Sequence, residues 1–156
     1  MKQNDTICGA AQQKGFNLIE ILVTVIILAI GLLGVAGMQL TGLKYSQGAY
    51  HRSQVVVMTN DIVDRMRANR TAAESGSYDI AIGDAANGVP CDVVMICDPV
   101  MMADADLAEW KQALAANLPS GDGSIERNGN VFTITIQWDD SRGQLDPKTM
   151  AVETIL

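Results

Sequence analysis

Hydrophobic and polar positions divide the chain into one long apolar segment followed by shorter periodic ones. From Ile21 to Leu43 the sequence contains no charged residue, and about 20 apolar residues suffice for a helix to cross a bilayer. The pattern therefore predicts a membrane-spanning helix over residues 16–39. One acid, Glu20, lies at its start. A carboxylate in hydrocarbon costs roughly 3 kcal/mol on insertion scales, so an acid at this position indicates a function.

The segment after the span has a different periodicity, with apolar residues three or four positions apart. This spacing places them on one face of a helix. The face comprises Val55, Met58, Ile62 and Met66. Asp61 and Arg65 have the spacing of a stabilising i,i+4 ion pair. We therefore predict that the first helix continues to about residue 70 as an amphipathic helix, and that its apolar face packs on a small sheet.

A second helix is predicted over residues 103–118. Its regular apolar face comprises Leu107, Trp110, Leu114 and Leu118. Asp104 or Asp106 is placed to cap its N-terminus, where an acid also suits the helix dipole. Pro119 ends the helix because proline cannot continue it.

Alternating residues in the C-terminal part predict an antiparallel hairpin. One strand begins at 125–127, Asn128-Gly129 is a strong two-residue turn signal, and residues 131–138 alternate in polarity. The buried face of this second strand is predicted to comprise Phe132, Ile134, Ile136 and Trp138. Residues 151–156 are predicted as a last strand or as a terminal peptide on the head. Short apolar segments at 78–82 and 93–96 fit either strands or packed loops.

These elements predict an α+β fold: a long N-terminal helix packed on a small antiparallel β-sheet, with one additional helix. A hairpin alone is unstable in water, so the amphipathic half of the long helix is expected to cover it. The length of 156 residues allows one membrane segment and one small domain.

The N-terminal residues add a processing signal to this picture. Residues 1–15, MKQNDTICGAAQQKG, form a polar leader. Gly15 at its end, Phe16 directly after it and Glu20 together resemble the type IV prepilin family. In that family a prepilin peptidase cuts after the glycine and N-methylates the new first residue. The resemblance implies a cleaved leader (1–15), a retained helix that forms a filament core (16–39) and a head domain (40–156).

Such a cut would change the charge next to Glu20. Before cleavage the nitrogen of Phe16 is a neutral amide, and afterwards it is an ammonium group. Phe16 and Glu20 are four residues apart, about one helical turn. The ammonium group would therefore pair with Glu20 of the same subunit or of a neighbour, since an unpaired charge in a low-dielectric environment is strongly disfavoured.

Three further segments resemble the PilV family of minor pilins: Gly31–Gln39, Asp64–Arg70 and Leu107–Asp140. This resemblance implies a type IV pilin-like fold and a non-catalytic structural subunit that helps prime pilus assembly and form the tip complex. The implied partners are other minor pilins, a PilY-type tip adhesin, the major pilin, the prepilin peptidase, the inner-membrane assembly platform and the lipid bilayer. The implied location is the bacterial inner membrane, with the head in the periplasm, and then the pilus or cell surface.

Glycines recur every third residue in the span, at Gly31, Gly34 and Gly37. Each costs about 1 kcal/mol relative to alanine inside a helix. Two interpretations follow: the glycines permit close contact between helices, or they mark a section that loosens during assembly. Many major pilins carry a helix-bending proline near the position of Gly37, and its absence from this sequence favours a minor pilin.

Other interpretations of the N-terminus stay open. Lys2 and Lys14, the apolar segment and Val35-Ala36-Gly37 also fit a secretory signal peptide, although the apolar run is longer than such a signal needs. A plain membrane anchor is a further alternative. At the level of function, the alternatives are a minor pseudopilin of a type II secretion system and a membrane-anchored envelope thiol protein or enzyme.

The chain contains three cysteines, of which Cys8 lies in the leader. Cys91 and Cys97 remain in a segment expected outside the cytoplasm, where an oxidising environment favours a disulfide. A metal site is the alternative, but the single histidine, His51, is distant in sequence, and the cysteine spacing is not that of a redox CxxC motif.

The charge balance argues against a nucleic-acid partner. The net charge is −7, and removal of the leader, which has a charge of +1, leaves −8. Nucleic-acid binding requires a basic surface.

The acidic residues do not predict a catalytic site. Neighbouring acids such as Asp139 and Asp140 point apart along a strand and do not form a paired catalytic site. A calcium site is not predicted at Asp98, Asp104 and Asp106, because these acids do not have the ligand spacing of a calcium loop. No catalysis and no cofactor are expected.

Overall fold

The computed structural model describes residues 17–91, 97–141 and 143–156. Its elements in chain order are α1 (Leu18–Ala68), α2 (Arg70–Glu74), α3 (Pro99–Asn117), β1 (Asp122–Asn128), β2 (Val131–Trp138) and β3 (Lys148–Ile155). The predicted α+β class is confirmed, with a long N-terminal helix and a small antiparallel sheet. The short helix α2 was not predicted. The apolar segment at 93–96 lies outside the described residues.

The chain separates into two units, Met1–Lys44 and Tyr45–Leu156. The described part of the first unit, from residue 17 onward, is the N-terminal portion of α1. The second, here called the globular unit (residues 45–156), contains the rest of α1 and the other five elements. Its hydrophobic core combines side chains from α1, α3, β1 and β2.

The predicted apolar faces of both long helices are buried in this core. The buried residues of α1 include Val55, Met58, Ile62 and Met66, and those of α3 include Leu107, Trp110 and Leu114. Trp110 also donates a hydrogen bond of 3.2 Å from Nε1 to the carbonyl oxygen of Met58. The indole therefore fixes α3 against α1 through a polar contact as well as through packing.

Helix α1 ends two residues earlier than predicted, at Ala68, because Asn69 leaves helical geometry with φ −115° and ψ 49°. The Asn69 side chain donates to the carbonyl oxygen of Pro99 at 2.6 Å. A polar residue that is 8% exposed thus has a partner, as buried amides require. The chain then turns into α2, which follows directly.

Helix α3 begins four residues earlier than predicted, and its cap is neither Asp104 nor Asp106. Asp98 is the N-cap, and its carboxylate accepts from the backbone N–H groups of Val100 and Met101 at 3.0 and 2.8 Å. Pro99 occupies the first turn, where its missing N–H costs nothing because that group has no partner within the helix. An aspartate followed by proline is a helix-start signal that the prediction overlooked.

The sheet has the strand order β1-β2-β3, and both pairs are antiparallel. Residues 151–155 belong to the last strand, which begins at Lys148, and the predicted inward face of β2 is buried. The hairpin turn is shifted by one residue: Asn128 pairs with Val131, so the two loop residues are Gly129 and Asn130. Gly129 has φ +64°, a conformation that glycine adopts without steric cost.

One residue of the 78–82 segment extends the sheet. Ile80 forms an isolated antiparallel bridge with Ile125 of β1, through hydrogen bonds of 3.0 and 2.9 Å between their backbones. The segment is thus mostly a packed loop with a single bridge at the outer edge of β1.

Candidate functional site

The N-terminal portion of α1 presents an apolar surface. Its large hydrophobic side chains from Leu18 to Leu43 are all exposed by about half or more, and the helix is long and apolar enough to cross a membrane. A continuous apolar surface of this size is not stable in water. Lipid or the helices of other proteins must therefore cover it.

Glu20 is the acidic residue in the first turn of α1 and is exposed on this surface. A carboxylate is favoured there because the backbone N–H groups of the first turn carry partial positive charge. The backbone N–H of Glu20 donates to the carbonyl oxygen of Asn17 at 2.9 Å. The other predicted residues of this site, Gly15 and Phe16, lie outside the described residues.

The three glycines of the span have no packing role within the described chain. A Cβ built at Gly31, Gly34 or Gly37 would meet nothing within 4 Å, and α1 remains helical through all three. Their shared property is a helix surface without side chains, which allows close approach by another helix.

In the globular unit, Arg65 of α1 contacts three carboxylates, one on its own helix and two on α3. It donates to Asp61 at 3.0 Å, to Asp106 at 3.1 Å and to Glu109 at 2.7 Å. The contact with Asp61 confirms the predicted i,i+4 pair. The hydrogen bond to Glu109 is the main reason that the pKa of Arg65 is raised, and the same bond lowers the pKa of Glu109.

Tyr78 extends this network into the core. Its hydroxyl donates to Asp106 Oδ2 at 2.6 Å and accepts from Asn69 Nδ2 at 3.3 Å, while the ring is fully buried. Burial and the bond to Asp106 raise the pKa of Tyr78, so the hydroxyl stays protonated. Asp106 therefore links α3 to α1 and to the segment after α2, and it does not cap α3.

A second polar junction joins α3 to β1. Lys111 Nζ donates to Asp122 Oδ1 at 2.6 Å and to the carbonyl oxygen of Ala81 at 2.9 Å. Burial alone would raise the pKa of Asp122, but the hydrogen bonds from Lys111, Gly83 and Gly123 outweigh it and hold that pKa below its usual value. This junction anchors the loop after Ile80.

The two cysteines of the globular unit lie at disulfide distance. The Sγ atoms of Cys91 and Cys97 are 2.01 Å apart, and the Cα atoms are 5.9 Å apart. Cys97 directly precedes Asp98, the cap of α3. The pair therefore lies next to the point at which α3 begins.

Two family comparisons match adjoining parts of the chain. Residues 11–36 match the prokaryotic N-terminal methylation motif, and residues 37–108 match the family described as type IV pilin Tt1218. The chain contains a type IV pilin domain. The first match ends at residue 36 and the second begins at residue 37. Together they cover the apolar portion of α1 and the first half of the globular unit. No curated protein and no solved structure matches the chain.

The match to a pilin domain accounts for the exposed apolar surface of α1. Type IV pilins are structural, non-catalytic subunits, and the methylation motif marks substrates of a prepilin peptidase that assemble with other pilins. The methylation motif and the apolar portion of α1 overlap in sequence, which supports membrane anchoring of a pilin-type subunit.

Sequence reasoning missed the polar junctions of this protein. Tyr78, Asp106 and Lys111 were not recognised as linking residues, although each is essential to a contact described above. The Asp98-Pro99 pair carried a readable signal for the cap. The links from α3 to α1 and to β1 carried none, because their partners are separated by 11 to 44 positions in sequence.

Proposed function

We propose that this protein is a minor pilin of a type IV pilus system, a non-catalytic subunit that helps prime assembly and form the tip complex. The observation that carries the proposal is the order of the two matches: a methylation motif at 11–36 leads directly into a type IV pilin domain at 37–108. The resemblance of three segments to PilV and the lack of proline near Gly37 support the minor-pilin assignment.

Maturation supplies the group that pairs with Glu20. The prepilin peptidase removes residues 1–15 after Gly15 and N-methylates Phe16, which leaves a charged amine about one turn from the carboxylate. Glu20 then pairs with Phe16, of its own subunit before assembly and of a neighbour afterwards. Pairing across subunits removes both charges from an apolar environment, which favours assembly of processed subunits alone.

The apolar portion of α1 mediates two successive associations. It first spans the inner membrane with the globular unit in the periplasm, and it then packs with the helices of other pilins in the pilus. The surface left open by Gly31, Gly34 and Gly37 supports close packing in the second state. The partners are other minor pilins, the major pilin, the assembly platform and a PilY-type tip adhesin.

In the periplasm, Cys91 and Cys97 form a disulfide that closes the loop before α3. An oxidising compartment and the proximity of the two sulfur atoms support this pairing. Thiol labelling of the unreduced full-length protein tests it. Labelling of neither cysteine is expected, whereas one reactive cysteine would favour the envelope thiol protein.

The test of the main proposal is mass spectrometry of the N-terminal peptide from protein purified from membranes. We expect a peptide that begins with methylated Phe16. A mature start near Met38 would identify an ordinary signal peptide and overturn the proposal. A minor pseudopilin would share the methylated start, so deletion of the gene separates the two: loss of pili and twitching supports a pilin, and loss of protein secretion supports a pseudopilin.

A further inference from the structure

The two edges of the three-stranded sheet differ in how they are covered. The outer edge of β1 forms a bridge with Ile80, whose backbone pairs with that of Ile125 in both directions. Strand β3 pairs with β2 on one side, and among the described residues nothing pairs with its other side. The sheet thus has one partly closed edge and one open edge.

The open edge has few of the features that usually prevent strand addition. Natural edge strands are protected by proline, bulges or charged side chains, especially lysine. Pro147 precedes β3 but does not lie within it, and the register with β2 runs without a bulge from Lys148 to Ile155. Lys148, at the very start of the strand, forms a salt bridge with Asp140. The remaining seven residues contain a single charged side chain, Glu153, and form a regular backbone template.

The hydrophobic core is also incomplete along this edge. Met150 and Val152 pair with Ile136 and Ile134 of β2 and share their inward face. Both isoleucines are fully buried, whereas Met150 and Val152 are only half-buried. One more strand beside β3 would place apolar side chains next to these two residues and complete their burial.

The outward face of the same edge carries a charge. Glu153 is exposed and pairs across the sheet with Thr133, whose other neighbour is Glu126 of β1. Within the part of the chain that the structure describes, no basic side chain forms a salt bridge with Glu153. An added strand would therefore be favoured by a lysine or arginine opposite Glu153.

The charge of the globular unit disfavours a second copy as the source of that strand. Residues 45–156 contain eight basic and sixteen acidic side chains, a net charge of −8. Two such units placed edge to edge would repel each other. The edge instead fits a subunit that carries positive charge where this unit is negative.

We propose that β3 is the docking edge for an extended segment of a different pilin subunit, which adds a fourth strand to the sheet. That segment pairs with the backbone of β3, places apolar residues next to Met150 and Val152, and places a basic residue next to Glu153. This inference rests on the proposed function, since it takes the partner from the same assembly.

The experiment is site-specific photo-crosslinking of the full-length protein in the source bacterium. One probe replaces Ala151, which is exposed in the middle of β3, and a matched probe replaces Ala116, which is exposed on α3. A third probe replaces Leu33 on the apolar surface of α1 and reports assembly itself. We expect the Ala151 probe to crosslink to another pilin in an extended segment, and the Ala116 probe to give no such product.

Each other outcome has a distinct meaning. A product between two copies of this chain at Ala151 would overturn the assignment to a different subunit. Pilin products at Leu33 without any at Ala151 would overturn the docking edge and leave the proposed function intact. The absence of pilin products at both positions would overturn the proposed function and the inference together.

A charge-reversal pair tests the partner's chemistry. Glu153→Lys is expected to abolish the Ala151 product, and Glu126→Lys, in the same row of the sheet but at the opposite edge, is expected to retain it. Equal yields of the Ala151 product for the two variants would contradict the proposal that the partner places a basic residue next to Glu153.

Hydrogen exchange tests the backbone pairing of the added strand. Amides of β3 must become more protected in assembled pili than in the isolated full-length protein.

Discussion

The hydroxyl of Tyr78 donates a 2.6 Å hydrogen bond to Asp106 Oδ2, which joins the segment after α2 to helix α3. Arg65 of α1 binds the other oxygen of the same carboxylate at 3.1 Å. One aspartate thus receives donors from two separate parts of the chain. The orientation of α3 in the pilin domain depends on this shared acceptor as well as on apolar packing.

Tyr78→Phe tests this contact. The variant keeps the buried ring but removes the donor, and hydrogen bonds to charged groups contribute about 1.5–3 kcal/mol. We expect the free energy of unfolding of the full-length protein in detergent to fall by about that amount. Tyr50→Phe is the control, since Tyr50 is 57% exposed and its hydroxyl can remain in contact with water. Equal stability of the two variants would contradict a structural role for the Tyr78–Asp106 bond.

Asp122→Asn tests the junction between α3 and β1. Its carboxylate accepts from Lys111 in a partly buried site, so we expect a loss of about 1–3 kcal/mol in unfolding free energy at neutral pH. Asp64→Asn is the control, because Asp64 forms an exposed pair with Arg67 and such pairs contribute at most about 1 kcal/mol. Chemical denaturation of both variants measures the difference.

The same junction predicts a pH dependence. The folded pKa of Asp122 lies below its ordinary value, which is about 3.9 for an unfolded chain. Its ionised form therefore stabilises the fold fully above about pH 4, and this contribution is lost as the pH falls through the folded pKa. Denaturation at several pH values should show the Asp122→Asn variant approaching the parent protein in stability below about pH 4. A constant difference across that range would contradict the assignment.

Gly123→Ala tests the close approach of β1 and α3. A Cβ at Gly123 would lie 2.5 Å from Trp110 Cη2 and 2.9 Å from Leu114 Cδ1. Overpacking of this kind costs about 1–3 kcal/mol, and the displaced indole should change the tryptophan fluorescence. Gly48→Ala is the control, and we expect it to raise the free energy of unfolding. Its Cβ would meet only Asp140 at 3.8 Å, and alanine favours the helix by up to about 1 kcal/mol.

Glu20→Gln tests the proposed assembly carboxylate. The amide keeps the size of the side chain and removes its charge, so the methylated amine of Phe16 has no counter-charge at the subunit contact. We expect the protein to remain in the membrane fraction and to be lost from sheared pili, as immunoblots of the two fractions would show. Thr24→Val, one turn further along the exposed helix, should leave both fractions unchanged. Normal amounts of the Glu20→Gln variant in pili would contradict the role of Glu20.

The sequence by itself determined the two long helices and the first hairpin, together with the buried faces of α1, α3 and β2. Met58 and Ile62 on α1, Trp110 on α3 and Ile134 on β2 were assigned to the core from periodicity alone, and all are buried. This was possible because a helix or strand repeats at a fixed interval, so the pattern of one segment reveals its inward face. The methylation motif is also local in sequence, so its resemblance to the prepilin family was visible without the fold.

Only the tertiary structure decided which elements meet and through which polar groups. The sequence favours Asp104 or Asp106 as a helix cap, but Asp106 binds Arg65 and Tyr78. The pairing of Lys111 with Asp122 had no local signal. The open edge of β3 likewise became visible only with the strand order. These relations join residues that are distant in sequence, and they depend on how completed elements pack, which no short-range periodicity encodes.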